Sequence, residues 1–393
     1  MARTDAGDAP APGTSTAPSA VPTVELHRHF EAGLTPETLA RLAARHGVTE
    51  VRTRFGVLVP GVDPQDPASI KAYYETVSRN VAGPGGFDRF VEAFGLPLSV
   101  LRSLEDLEAA VFEELVACAE SGSLHTELRG SPFSYAEQVH APVEEIAAAL
   151  VQGVDRAWLE RGVSGTFILA FSRHKGLGGP ADPPAKRQAT AVARLAAGLH
   201  RPDRPVGLDI AGYPEHAFPP RLFEDALRPA RDASVPLTVH AGEQGYPPAF
   251  EEAPPSFIVD AVERLGARRI GHGTALAADA AARAALRAGG IGVECCPVSN
   301  DRLGYMPLDR HPLPLFLEEG LLASVSTDDP LMFGPFTVAE TLAAAAGALG
   351  LGRDAMLKVG RNAIASAFVT GARRSALSAR FDAAAALPVP AAR

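Results

Sequence analysis

FIVDAVERLGARRIGHGTALAADAAARAALRAGGIGVE, residues 257–294, holds in one stretch the alternation that decides the fold. Residues 257–265 and 277–288 place Ala, Leu, Val and Arg at helical spacing, whereas 269–270 and 290–294 are short β-type runs beside glycines. Strands separated by helices call for parallel pairing, because the crossover helix returns the chain to the same end of the sheet. The unit recurs in both directions. Strand-like runs at 21–26, 124–128, 165–170, 206–210 and 236–239 precede it, and 322–326 follows, making eight. Residues 142–160 and 187–199 supply further helices. Eight such units predict an α/β protein, a (β/α)8 barrel.

One interval is longer than a connecting loop. About 95 residues separate the first two runs, yet 34–46, 70–81, 87–94 and 104–121 all have helical composition. The expectation is a helical insertion over the C-terminal mouth of the barrel, placed to act as a lid. The 393 residues suit one barrel with that insertion. A single domain is expected over 21–381, with disordered tails at 1–20 and 382–393, where Ala and Pro dominate.

The chain is 46% hydrophobic, 21% charged and carries a formal charge of −9, so nucleic acid and anionic membranes are excluded as main partners. The N-terminus has no apolar secretory segment, and no run of about 18 residues is apolar enough to span a bilayer. Three cysteines, Cys118, Cys295 and Cys296, have no CxxC spacing, which fits a reducing cytoplasm and two packing thiols at 295 and 296.

Barrel enzymes carry their chemistry at the C-terminal ends of the strands. In this chain those ends read His27 and His29; Arg129; Arg173 and His174; Asp209 and Gly212; His240 and Glu243; His272; Glu294; Asp328 and Asp329. His27 and His29 lie two apart, so in a strand both imidazoles face one side and reach one ion; the same triplet also fits a surface strand. His240-Ala241-Gly242-Glu243 offers a third imidazole, with a glycine that lets Glu243 turn back toward a substrate, or else a helix cap beside a surface His. Asp328-Asp329-Pro330 places two carboxylates where one suits a metal and the other a proton, and is equally good turn chemistry. His272 sits between Gly271 and Gly273, which permit close approach of another group. Glu294, before Cys295 and Cys296, suits a buried supporting role.

In this order the stretches resemble the adenosine deaminase family, from about residue 21 to 366. They are Val24-Glu25-Leu26-His27-Arg28-His29, Glu127-Leu128-Arg129-Gly130-Ser131-Pro132, Leu208-Asp209-Ile210-Ala211-Gly212, Val239-His240-Ala241-Gly242-Glu243, Arg269-Ile270-Gly271-His272-Gly273, Glu294-Cys295-Cys296-Pro297-Val298-Ser299-Asn300 and Ser326-Thr327-Asp328-Asp329-Pro330. The zinc motif of cytidine-type deaminases is absent. The resemblance implies one Zn2+ per chain, held by His27, His29, His240 and Asp328, that makes water a nucleophile at neutral pH. It implies Glu243 as a protonated acid toward N1 of a purine, His272 as the group that orients the water and takes its proton, and Asp329 and the Gly212 N–H as partners of N7 and N3. His29, Glu31 and Arg129 join the expected substrate contacts.

Phe30-Glu31-Ala32-Gly33 departs from the family's usual Leu-Asp-Gly after the two histidines, and Tyr213 replaces an acidic residue after Gly212. Glu31 is similar to members that act on free adenine; Arg129-Gly130-Ser131-Pro132 is similar to the nucleoside-acting branch. The expected reaction is hydrolytic deamination of adenosine, 2′-deoxyadenosine or a close analogue. The alternatives are free adenine, a 5′-modified adenosine such as 6-amino-6-deoxyfutalosine, and another mononuclear-metal barrel hydrolase.

Overall fold

A computed structural model of the chain describes residues 21–83, 85–173, 183–212, 217–243 and 253–387. The N-terminal tail expected for 1–20, and the positions of His174 and Tyr213, lie outside these residues. Eight parallel strands form one sheet: β1 (Thr23–His29), β2 (Ser123–Gly130), β3 (Gly165–Ser172), β4 (Gly207–Ala211), β5 (Leu237–Ala241), β6 (Arg269–His272), β7 (Gly292–Cys295) and β8 (Leu322–Val325). Each pairs with its sequence neighbour. Bonds just past the regular strands join the two ends of the sheet, where Arg28 bridges to Asp328. This is the barrel read from the sequence.

All eight predicted runs are strands, but β1, β5 and β6 continue through His29, Ala241 and His272. Together with Arg129 on β2, Asp209 on β4 and Glu294 on β7, the polar groups His27, His29, His240 and His272 therefore lie on the strands themselves. Period-two alternation explains how. On β5, Leu237, Val239 and Ala241 pack in the apolar shell, while Thr238 and His240 bond across the interior.

The helix Leu104–Glu120 packs against Val143–Arg161 in the outer ring. The chain before it forms the insertion, with helices Pro36–Arg45, Pro67–Asn80, Gly86–Ala93 and Gly95–Val100. A small hairpin, Val51–Arg52 with Leu58–Val59, was not legible in the sequence, because two-residue strands carry no periodicity. At the C-terminus the helix Gly371–Ala385 crosses the boundary expected at 381. Leu377 and Phe381 anchor it, at 2% and 0% exposure, and this burial outweighs the Ala-rich composition that reads as a tail. No helix among the described residues is long and apolar enough to cross a membrane.

Candidate active site

The barrel seam and the site coincide. The His29 N–H donates to the Asp328 carbonyl and the Asp328 N–H to the His27 carbonyl, both at 2.9 Å. Between the two histidines Arg28 points outward. Its guanidinium donates to Glu114 (2.7 Å), to the carbonyls of Gly33 and Phe336 (2.9 Å each) and to Thr327 Oγ1 (3.3 Å). One cation thus ties β1 to the segment that carries Asp328. Asp328 and His272 adopt left-handed backbone, with φ of 64° and 62°. Such conformations cost roughly 1–2 kcal/mol in non-glycine residues and persist where surrounding structure imposes them.

His27, His29, His240 and Asp328 bring one donor atom each to within 4.8 Å of one another. His27 Nε2 lies 3.1 Å and His29 Nε2 3.3 Å from His240 Nε2. Asp328 Oδ1 lies 3.3 Å from the Nε2 of both His27 and His29. Tetrahedral coordination with bonds of about 2.0–2.1 Å sets its donor atoms roughly 3.3 Å apart. The donor set therefore fits one small divalent cation. The ring protons agree: the Nδ1 of His27 faces Glu294 at 2.6 Å and that of His240 faces Asp209 at 3.1 Å. Those carboxylates assign the proton to Nδ1 and leave lone pairs on the converging Nε2 atoms. Two such lone pairs 3.1 Å apart repel one another, and a shared cation makes the contact attractive.

Ionisation favours the same set. Burial pushes His29 and His240 below the ordinary imidazole range, with help from neighbouring rings. Burial and Arg129 push His27 down, but hydrogen bonds to Asp328 and Glu294 outweigh them and shift it up. Burial also pushes the Asp328 carboxyl up, yet the surrounding histidines hold it well below the carboxylate range. A second, overlapping donor group replaces His29 and His240 by His272 and Cys296. It suits a cation poorly, because burial and the nearby Asp328, Glu25 and Glu294 keep Cys296 a thiol, and thiolates are what bind metals. Cys295 and Cys296 are buried and unpaired, as packing residues.

Beneath the histidines the barrel is filled with charge. Glu294 accepts from His27 Nδ1 (2.6 Å), Arg129 (2.8 Å), Arg269 (2.5 Å) and Thr238 (2.8 Å). Arg269 also holds Glu127 at 2.5 Å, and Arg129 holds Asp209 at 3.1 Å. Burial raises the Glu294 carboxyl, but Arg129 and Arg269 lower it more, so it stays ionised. Arg129 is thus placed differently from its expected role as a substrate contact. It is fully buried, its NH2 also donates to the Leu26 carbonyl at 2.7 Å, and it does not line the cavity. It acts on Glu294 and Asp209, which aim the two histidines. Glu127 and Arg269 stood inside the recognised stretches without a role, because nothing local in the sequence tells an inward charge from an outward one.

Above the donor atoms opens a cavity of about 900 Å³, mouth included. His29, His240, Asp328, Glu243, His272 and Asp329 line its floor, with Gly212 and Glu31 on the sides. Glu243 Oε1 lies 3.7 Å from His272 Nδ1, to which Asn300 Nδ2 comes within 3.2 Å. Burial holds His272 well below the imidazole range. Burial and the adjacent Asp328 push Asp329 well above the carboxyl range, which favours its protonated form. Its Oδ1 has no hydrogen-bond partner among the described residues. The pair Asp328–Asp329 divides into a carboxylate and an acid; Ser299 donates to Asp328 Oδ2 at 2.6 Å and helps fix the first. The close approach expected at Gly271 is that of His27: a Cβ there would lie 2.8 Å from His27 Cε1. The roof is Phe87, Phe90, Val91 and Phe94, from and just beyond the helix Gly86–Ala93, so the insertion does cover the mouth.

The sequence of residues 22–384 matches the adenosine deaminase family. The chain belongs to this family. It is 32% identical over 368 residues to an adenine deaminase of Caulobacter vibrioides, covering 93% of this chain and 94% of that protein. It is 31% identical over 358 residues to an adenosine deaminase of Escherichia coli, with 91% and 96% coverage. Among solved structures it resembles the adenine deaminase of Arthrobacter aurescens, with a TM-score of 0.75, 25% identity and coverage of 92% and 98%. The protein is accordingly a hydrolytic deaminase acting on a purine carbon–nitrogen bond, in a metal-dependent family of purine-binding enzymes.

Proposed function

We propose that the protein deaminates an adenine nucleoside, adenosine, 2′-deoxyadenosine or a close analogue, using one Zn2+ held by His27, His29, His240 and Asp328. The observation that carries this reading is the spacing of 3.1–3.3 Å among those donors, at the floor of a cavity that also presents Glu243, His272 and Asp329. Zinc when bound supplies Lewis acidity that lowers the pKa of water from 15.7 to about 7.

The chain's own groups do the rest. Glu243 donates a proton to N1 and makes C6 electrophilic. His272 orients the incoming water and accepts its proton. Asp329, as an acid, donates to N7, and the Gly212 N–H donates to N3. Water adds at C6, the bond from C6 to the amino nitrogen breaks, and ammonia leaves with a proton from the site, giving the 6-oxo purine. The cavity continues past the floor to Glu31, Ser131 and Ser134, which offers room and polar groups for a sugar. Glu31 keeps free adenine as the second reading. Three unpaired cysteines support a reducing cytoplasm as the compartment.

The test is a panel of adenine, adenosine and 2′-deoxyadenosine, followed by the absorbance change of deamination, beside metal analysis of the native protein. Ammonia release from a nucleoside, about one zinc per chain and loss of turnover on chelation are expected. Tightly held zinc in Asp328→Ala at wild-type content refutes the donor set, and failure to deaminate any adenine compound refutes the function.

A further inference from the structure

A second cavity, of about 640 Å³ with its mouth, lies between β1, the helix Leu104–Glu120 and residues 336–338. It shares no lining residue with the catalytic cavity. Leu34, Ala110 and Val338 make its sides apolar. Toward the barrel its wall is Glu25 and Arg28, and both side chains hold the segments that carry the metal donors. Glu25 Oε1 accepts from the His27 N–H at 2.9 Å, and its Oε2 accepts from the Thr327 N–H at 2.9 Å and the Thr327 hydroxyl at 2.8 Å. Arg28 donates to the same hydroxyl and, on its other side, to Glu114. These two groups therefore join the strand of His27 and His29 to the residue before Asp328.

Three carboxylates, Glu25, Glu113 and Glu114, line the cavity beside one cation, Arg28. Both oxygens of Glu25 are engaged, and Glu113 pairs with Arg41. Glu114 differs. It is 5% exposed, its Oε1 takes the bond from Arg28, and its Oε2 has no hydrogen-bond partner among the described residues. The carboxyl packs on Gly33, where a Cβ would overlap it. Burial raises its pKa to about 7, although Arg28 lowers it. The other nitrogens of Arg28 are committed to Thr327 and to the carbonyls of Gly33 and Phe336. A buried carboxylate oxygen without a donor costs free energy that the N–H of a ligand recovers.

We propose that this cavity is a second binding site, for a small primary amine with an apolar body, and that its occupancy is linked to the metal donors through Glu25 and Arg28. The ammonium donates to Glu114 Oε2, and the apolar part lies against Leu34, Ala110 and Val338. No existing bond has to break, because Oε1 stays with Arg28. The occupant therefore favours the braced arrangement of His27, Thr327 and Asp328, which is also the one that holds a cation. An anion is repelled by the three glutamates, and an alcohol brings no charge to Glu114.

The probe is benzylamine, with benzyl alcohol and benzoate as neutral and anionic controls, titrated by calorimetry into the full-length zinc-loaded protein. About one benzylamine per chain is expected, with benzyl alcohol about 10–100-fold weaker and benzoate weaker still. Glu114→Gln should weaken benzylamine by about 10–100-fold. Ala117→Phe, at the exposed rim, should abolish binding while leaving Glu114 and Arg28 in place. Glu243→Gln, in the catalytic cavity, should not alter it. By linkage, saturating benzylamine should raise zinc affinity in chelator competition by about fivefold or more, and removing zinc should weaken benzylamine by the same factor. Binding that is lost in Glu243→Gln but kept in Ala117→Phe places the amine on the catalytic floor and overturns the proposal. So do equal affinities for the three probes, no binding of any, or a zinc affinity that the amine does not change. Calorimetry reads the amine with or without metal, so failure of this site and failure of the zinc donor set are told apart.

Discussion

Glu294→Gln isolates the charge at the centre of the barrel with little change of shape. The carboxylate accepts from His27, Arg129, Arg269 and Thr238 at 2.5–2.8 Å, and neither arginine is exposed. Glutamine keeps the volume but removes the anion from between two guanidiniums. Breaking a buried ion pair costs about 3–5 kcal/mol. Arg129 keeps Asp209 and Arg269 keeps Glu127, so the lower end, about 3 kcal/mol, is expected. At about 2.1 cal/mol/K per residue, 393 residues have an unfolding entropy of roughly 0.8 kcal/mol/K, and Tm falls by about 4 °C. His27 also loses the group that sets its tautomer, which costs about 10–100-fold in metal affinity. Scanning calorimetry and chelator competition measure the two effects. Glu319→Gln is the contrast, since it removes the partner of Arg283 at a solvent-accessible pair, where screening by water leaves little stability to lose. A Glu294→Gln protein with Tm within about 1 °C and metal affinity within about threefold of wild type would falsify the claim that this network aims His27.

Three other outcomes follow from the site and its surroundings. Glu243→Gln should retain metal yet lose about 10²–10⁴-fold in kcat, because the acid toward N1 is gone; wild-type turnover removes Glu243 from the mechanism. Gly271→Ala puts a Cβ 2.8 Å from His27 Cε1, so metal retained after dialysis should fall by about tenfold or more; unchanged content means that the ring does not need that space. His311 is buried, and burial alone brings its pKa down to about 3, against about 6.5 when unfolded. The folded state binds fewer protons than the unfolded state between those values. This contribution is therefore complete above about pH 6.5 and is lost toward pH 3, at about 1.4 kcal/mol per pH unit. His311→Gln should flatten the stability profile over that window, and an unaltered slope contradicts the burial argument.

The eight-fold alternation of β-type runs and helices was legible because period-two and period-3.6 patterns are local properties of the chain. So were the donor residue types, since His27-Arg28-His29, His240 and Asp328-Asp329 stand next to apolar runs that place them near strand ends. Tertiary structure alone decided what those residues do to one another. Glu294 aims His27 across 267 positions, and Arg28 braces Thr327 across 299. Local pattern cannot see a partner so far away, nor tell that Arg129 turns inward to the carboxylates while Arg54, from the loop between two two-residue strands, lines the catalytic cavity. Pairings of that kind depend on barrel closure and register, which bring distant strands to within a hydrogen bond only after the chain has folded.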